Sequence, residues 1–147
     1  MAHDGQDMTT MDAPVILDDL LALTAAAVGP VEAVLEKAKD SVRDLVSANG
    51  RVSAKLIEEN QTAAHGLAWL ATYAQALRQM QKWADALQAD GKFGETEQLL
   101  HQIAFGEYLC QVNGGIQMNQ GEILRLHDLG LSQDDMRDMM VPAVMTL

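Results

Sequence analysis

Apolar positions recur at three- and four-residue steps along most of this chain, the spacing of helices with one buried side. The first such run, "APVILDDLLALTAAAV", starts around Pro14 to Asp18. Asp18 and Asp19 there suit the positive end of a helix dipole. Gly29-Pro30 is expected to interrupt it, with Pro30 opening a second run, "PVEAVLEKAKDSVRDLVSAN". Val31, Val34, Leu35, Ala38, Val42 and Leu45 then share one face, and Asn49-Gly50 closes the segment with residues that tolerate left-handed backbone.

The longest periodic segment begins behind Ser53, a plausible N-cap, and reaches about Ala89 before Asp90-Gly91. A continuous helix of that length would extend ~55 Å, well beyond the ~30 Å of a small globule. A bend near Gly66 or an elongated bundle is therefore expected. The segment from Leu17 to Ala48 is nearly as long and reads as its kinked antiparallel partner.

A further helix from about Glu95 to Val112 is apolar around much of its circumference, from Leu99, Leu100 and Ile103 to Phe105, Leu109 and Val112. Such a helix is buried on more than one side or covered by a partner. Asn119 to Leu129 is expected as a short helix ended by Gly130. Ser132 and Asp135 form a capping-box start for "QDDMRDMM", which Pro142 stops. The expected fold is all-α, an antiparallel up-and-down bundle of four main helices, the first kinked at Gly29-Pro30, with short C-terminal helices. Residues 1–13 are expected to be a disordered tail and 14–131 the bundle.

Composition sharpens this. Apolar residues make up 48 % of the 147 and aromatics 4 %, which disfavours strands. A net charge of −11 argues against nucleic acid and anionic membranes as partners. After Phe93 the only basic side chains are Arg125 and Arg137. The first residues lack the apolar core of a signal peptide, and no stretch approaches the roughly 20 apolar residues of a membrane span. A single cysteine, Cys110, fits a reducing cytoplasm.

Catalytic chemistry is hard to find. Glu97 and His101 stand one turn apart, but a di-iron bundle needs two Glu-x-x-His pairs, so a surface Glu–His contact is the expectation. His65, four residues before Trp69, reads as a half-buried, hydrogen-bonded histidine, and His127 as a helix-end side chain. Cys110 reads as a packed core thiol. Trp69, Tyr73 and Trp83 read as core or edge packing, and the acidic pairs as solvated helix starts. No phosphate loop, zinc spacing or dinucleotide fingerprint is present. No catalytic residue and no metal site is expected.

The stretch "QVNGGIQMNQGE" sets two glycines directly behind the apolar helix, where each costs roughly 1 kcal/mol against alanine. Gln111, Gly114, Gly115, Glu122 and Arg125 stand in an order that resembles the C-terminal helical domain of acyl-CoA dehydrogenases. In that family the Gln-x-x-Gly-Gly segment lies against FAD of a neighbouring subunit. The resemblance thus implies Gln111, Gly114 and Gly115 as cofactor-binding residues of a full-length enzyme, with no cofactor on the isolated chain. The family's flavin-holding β-domain and its catalytic glutamate have no counterpart here, and Gln117 and Met118 replace its usual aromatic.

"AAHGLAWLATYAQALRQMQKWADAL", "FGETEQLLHQIAFGEYL" and "GGIQMNQGEILRLHDLGL" resemble more closely the helical N-terminal extension of the methylsuccinyl-CoA dehydrogenases. Those flavoenzymes convert methylsuccinyl-CoA to mesaconyl-CoA in the ethylmalonyl-CoA pathway. The resemblance covers approximately residues 15 to 132 and implies a non-catalytic accessory domain that aids assembly or covers the catalytic core. Residues 132–147 would then be a short helix and boundary segment leading to that core. The implied partners are the dehydrogenase core, further copies of the chain, or both. The alternative is a stand-alone helical interaction or scaffold protein without flavin, and a small autonomous enzyme ranks last.

Overall fold

The computed structural model describes residues 15–147, so the tail expected over 1–13 lies outside the described residues. Three long helices carry the fold: α1 (Leu20–Leu45), α3 (Gln61–Ala89) and α4 (Glu95–Gly114). Between α1 and α3 lie a hairpin, β1 (Ser47–Ala48) and β2 (Arg51–Val52), and a short α2 (Ala54–Glu59). After α4 come a second hairpin, β3 (Ile116–Gln117) and β4 (Ile123–Leu124), a 3-10 turn (Leu126–Leu129), α5 (Gln133–Met139) and α6 (Pro142–Thr146). The architecture is a helical bundle, built on three long helices where the sequence pattern predicts four.

The difference arises at Pro30. α1 runs unbroken through Gly29-Pro30 instead of being interrupted there. Proline removes one N–H and so leaves the Ala26 carbonyl without its usual partner. Ala27, Val31 and Val34, all at most 2 % exposed, bury the helix on both sides of that gap. Packing of this kind outweighs a local propensity penalty of about 3 kcal/mol. The buried residues of α1 are those expected from Val31 to Val42, but Leu45 is 42 % exposed and Val46 takes the last inner position.

The long second segment is divided, and not where a bend was expected. Asn60 separates α2 from α3; its side-chain Nδ2 donates to the Leu56 carbonyl at 2.8 Å, a local bond that competes with helix propagation. Gly66 serves contact instead. A Cβ there would fall 2.2 Å from Leu124 Cδ1, so the missing side chain makes a notch for Leu124. Ser53 caps α2 as expected, through its hydroxyl and the Leu56 N–H at 3.4 Å. Asn49 and Gly50, with φ of 53° and 74°, form the two-residue turn of the first hairpin.

α1 packs on α3, and α5 and α6 also pack against α1. α4 lies against α3 and touches α1 less. The core runs between these layers, from Leu70, Leu77 and Phe105 to Leu129 and Met139. The helix expected over Asn119 to Leu129 is replaced by the second hairpin and the 3-10 turn. Ile116 pairs with Leu124 and both are buried, whereas Gln117 and Ile123 face out, the alternation of strands. Asn119 Oδ1 accepts the N–H groups of Gly121 and Glu122 at 2.8 and 2.9 Å, which turns the chain there.

Gly130 ends the 3-10 turn at φ 79°, and Ser132 with Asp135 caps α5, both as expected. Lys37 on α1 holds Asp135 at 2.7 Å. That hydrogen bond, followed by those from Ser132, keeps the Asp135 carboxyl well below the usual carboxylate range. Pro142 does not simply stop α5, which ends at Met139; it opens α6. Among the described residues, no helix is long and apolar enough to cross a membrane.

Candidate functional site

The double glycine ends α4 with two residues of different character. Gly115 has φ 139°, in the region that favours glycine, and a Cβ there would lie 2.5 Å from Ile123 Cγ2. The corner and the close return of β4 both require its lack of a side chain. Gly114 is the last helical residue, and a Cβ on it would meet nothing within 4 Å. Only Gly115 is sterically required.

Gln111 sits one turn back, half-buried, and its side-chain oxygen accepts the Tyr73 hydroxyl. Burial raises the pKa of that phenol above its ordinary value, so it remains a donor. The Gly115 N–H donates to the Gln111 carbonyl at 2.8 Å. The amide oxygen of Gln111 and the N–H of Gly115 are thus both engaged within the chain. What the turn leaves for an anionic ligand is Arg125, exposed and without an ion pair among the described residues. Within this chain the turn therefore offers an incoming anion one guanidinium, while the Gln111 amide oxygen and the Gly115 N–H serve the fold.

From Tyr73 a ladder of rings climbs α3. Tyr73 stacks on Tyr108 of α4 with centroids 4.5 Å apart. Trp69 meets Tyr73 edge-on at 6.5 Å, and its Nε1 donates to His65 Nε2 at 3.1 Å. Above Tyr108 the two helices frame an apolar groove of about 410 Å³, lined by Ala76, Gln79, Met80, Trp83, Ala104 and Tyr108. Leu100, one turn before Ala104, continues it along α4 at 56 % exposed, and Ile103, 60 % exposed, stands further out on the same helix. The all-round apolarity of α4 therefore leaves one flank bare among the described residues.

The opposite flank of α4 is covered. Gln102 accepts the Leu17 N–H at 2.7 Å and donates to the Val15 carbonyl at 2.9 Å, tying down the segment before α1. Leu147 closes over Gly106, where its carbonyl oxygen would lie 3.0 Å from a Cβ.

Two expectations reverse. His101 is fully buried and makes no surface contact with Glu97. Its Nε2 meets Thr24 Oγ1 at 3.0 Å, among Trp83, Phe93 and Phe105. Thr24 donates its own proton to the Leu20 carbonyl, so Nε2 carries the histidine proton and Nδ1 is left as an unpartnered acceptor. Burial lowers the His101 pKa. Glu97 is occupied by the Gly94 N–H at 3.1 Å. Cys110, expected in the core, is exposed. On α4 the inward positions are His101, Phe105, Leu109 and Val112, which leaves the thiol on the opposite side of the helix.

His65 is exposed rather than half-buried, with Trp69 as its hydrogen-bond donor, and His127 lies 3.4 Å from Asp128. Among the described residues, no group of three or more His, Cys, Asp or Glu side chains is placed to hold a metal ion.

No protein-family model matches the chain. A (2S)-methylsuccinyl-CoA dehydrogenase from Cereibacter sphaeroides is 51 % identical to it over 116 residues. The chain is similar to one segment of that enzyme. The matched stretch covers 79 % of this chain and 21 % of the relative, so the chain spans about a fifth of the relative's length. At this identity the two segments share a common origin. The resemblance expected over approximately residues 15 to 132 is thereby substantiated over 116 residues.

Proposed function

We propose that the chain is a non-catalytic helical accessory domain of an acyl-CoA dehydrogenase-like flavoenzyme of the methylsuccinyl-CoA type. The observation that carries this reading is 51 % identity confined to about a fifth of a dehydrogenase. One feature of the fold supports it. The bare flank of α4 gives a surface on which a larger protein can close.

In this reading, FAD and the oxidation of methylsuccinyl-CoA to mesaconyl-CoA belong to the catalytic core, and assembly takes place in the cytoplasm. Gln111, Gly114 and Gly115 contribute by shaping the corner that follows α4. Arg125 is the side chain left free there to meet a phosphate of a cofactor held by the core.

The test is reconstitution. The chain and the remaining portion of the related dehydrogenase are produced separately, mixed, and assayed for methylsuccinyl-CoA oxidation with an electron-accepting dye. The isolated chain is expected to be colourless and inactive, and to raise the activity or thermal midpoint of the other portion. Turnover by the chain alone, or indifference of the dehydrogenase to its presence, rejects the proposal. The second reading, a stand-alone helical interaction protein, draws on the same bare flank. It gains if the chain captures no dehydrogenase yet associates with itself.

A further inference from the structure

The outer face of α3 and α4 is distinctive for what it lacks. On the side of α3 that carries the groove, Trp69, Thr72, Ala76, Gln79 and Trp83 follow at three- and four-residue steps without a formal charge, while the exposed Arg78 and Lys82 lie off that side, Arg78 paired with Glu32 of α1. In a chain where 21 % of residues are charged, that neutrality leaves little charge to strip of water when the face is covered. α4 continues it with Leu100, Ile103, Ala104 and Tyr108. Trp83, 39 % exposed, and the half-buried Tyr108 stand at the two ends of the groove as rigid aromatic anchors.

One charge interrupts the surface. Glu107 is exposed and has no ion pair among the described residues. It lies between Ala104 and Tyr108, which line the same groove as Ala76, so it sits at mid-height on the face. This placement bears on the occupant. A second copy docked by the same face would bring another Glu107 towards the first, while the nearest cation of α3, Lys82, stands one turn from Arg78 on the side that meets Glu32 of α1 rather than beside the groove. Like charges meeting in an apolar contact oppose association.

Size argues in the same direction. Fifteen residues of helix span about 23 Å. With two helices about 9 Å apart, the face covers on the order of 500 Å². A free-standing dimer of standard size buries about 800 Å² on each partner. A face of this area suits an occupant tethered or held nearby by other contacts, whose effective concentration is high.

We infer that this face is the seat of a helical surface of the dehydrogenase's catalytic portion, apolar along its length and carrying one arginine or lysine opposite Glu107. The inference rests on the accessory-domain reading and adds the contact surface and the chemistry of its partner. Trp83 and Tyr108 anchor the occupant, Ala76 and Ala104 let its backbone come close, and the cation neutralises Glu107 as water leaves.

Calorimetric titration of the chain into the separately produced catalytic portion tests it. Leu100→Glu and Glu107→Lys are each expected to weaken binding at least about ten-fold. Val52→Lys, at an exposed position on the first hairpin, is expected to leave binding unchanged. Circular dichroism of each variant confirms the helical fold. Binding that survives both face substitutions places the contact elsewhere and overturns this inference while the accessory reading stands. No binding by the unaltered chain removes both. Tighter binding by Glu107→Lys rejects the cation, and self-association abolished by Leu100→Glu identifies the occupant as a second copy.

Discussion

The two flanks of α4 differ in composition and in what covers them. On one, Gln102 reaches the backbone at Val15 and Leu17, and Leu147 closes over Gly106. On the other, Leu100 and Ile103 remain open beside the groove. A helix that is apolar all round has to be covered all round. Among the described residues, the segment before α1 and Leu147 cover one flank and leave the other bare, so the covered flank concerns stability and the bare one concerns association. This division can be tested by substitution, because the two sides should respond to different measurements.

The largest effect belongs to the line that separates them. Phe105→Ala removes a fully buried ring and is expected to cost about 3–5 kcal/mol in urea denaturation. A smaller loss, with binding also misaligned, would show that the core line is less continuous than described. Next comes the corner at the end of α4. Gly115→Ala meets Ile123 at a positive φ and should destabilise by about 1–3 kcal/mol. Gly114→Ala replaces a helical glycine with open space around it and should be neutral or stabilising by up to about 1 kcal/mol. Equal losses at both positions would contradict the different roles assigned to them.

On the covered flank, Gln102→Ala deletes two hydrogen bonds and is expected to cost about 0.5–1.5 kcal/mol. Ile103→Lys on the bare flank should change stability by less than about 0.5 kcal/mol while weakening association. If Ile103→Lys proves the more destabilising of the two, the comparison fails. Near neutrality the smallest effect is that of His101. Its folded pKa lies below the ordinary 6.5, so the unfolded chain binds the proton first as pH falls. Stability should therefore decline as pH drops below 6.5 towards the folded value, and His101→Gln should flatten that part of the denaturation profile.

Local chemistry in the sequence revealed much of this fold. Asn49-Gly50, Ser53, Gly130 and the Ser132–Asp135 pair each act within a few residues, and each does what its side chain or its φ dictates. Pro30 and Gly66 were misread because their roles are settled by distant partners: buried neighbours on both sides of Pro30, and Leu124 against Gly66. The second hairpin escaped notice because strands of two residues carry almost no periodicity, although Ile116-Gln117 and Ile123-Leu124 alternate correctly.

For the candidate site, the glycine corner was legible and its division of labour was not, since a clash with Ile123 is invisible before folding. His101 and Cys110 were exchanged in depth for a simpler reason. Steps of four and three from His101 through Phe105, Leu109 and Val112 define the inner side of α4, and Cys110 falls opposite. That phase was available in the sequence. The bare flank itself required knowledge of where the ends of the chain lie.

The seating of Leu124 in the notch at Gly66 has a mechanical consequence. Leu124 belongs to the hairpin that terminates α4, so it acts as a detent between that helix and α3, and neither can slide past the other without lifting it. Trp83 and Tyr108 are consequently held in a constant phase, like marks on a ruler. A methyl group at position 66, nearly three turns from the near edge of the groove, would shift the scale without touching a single mark.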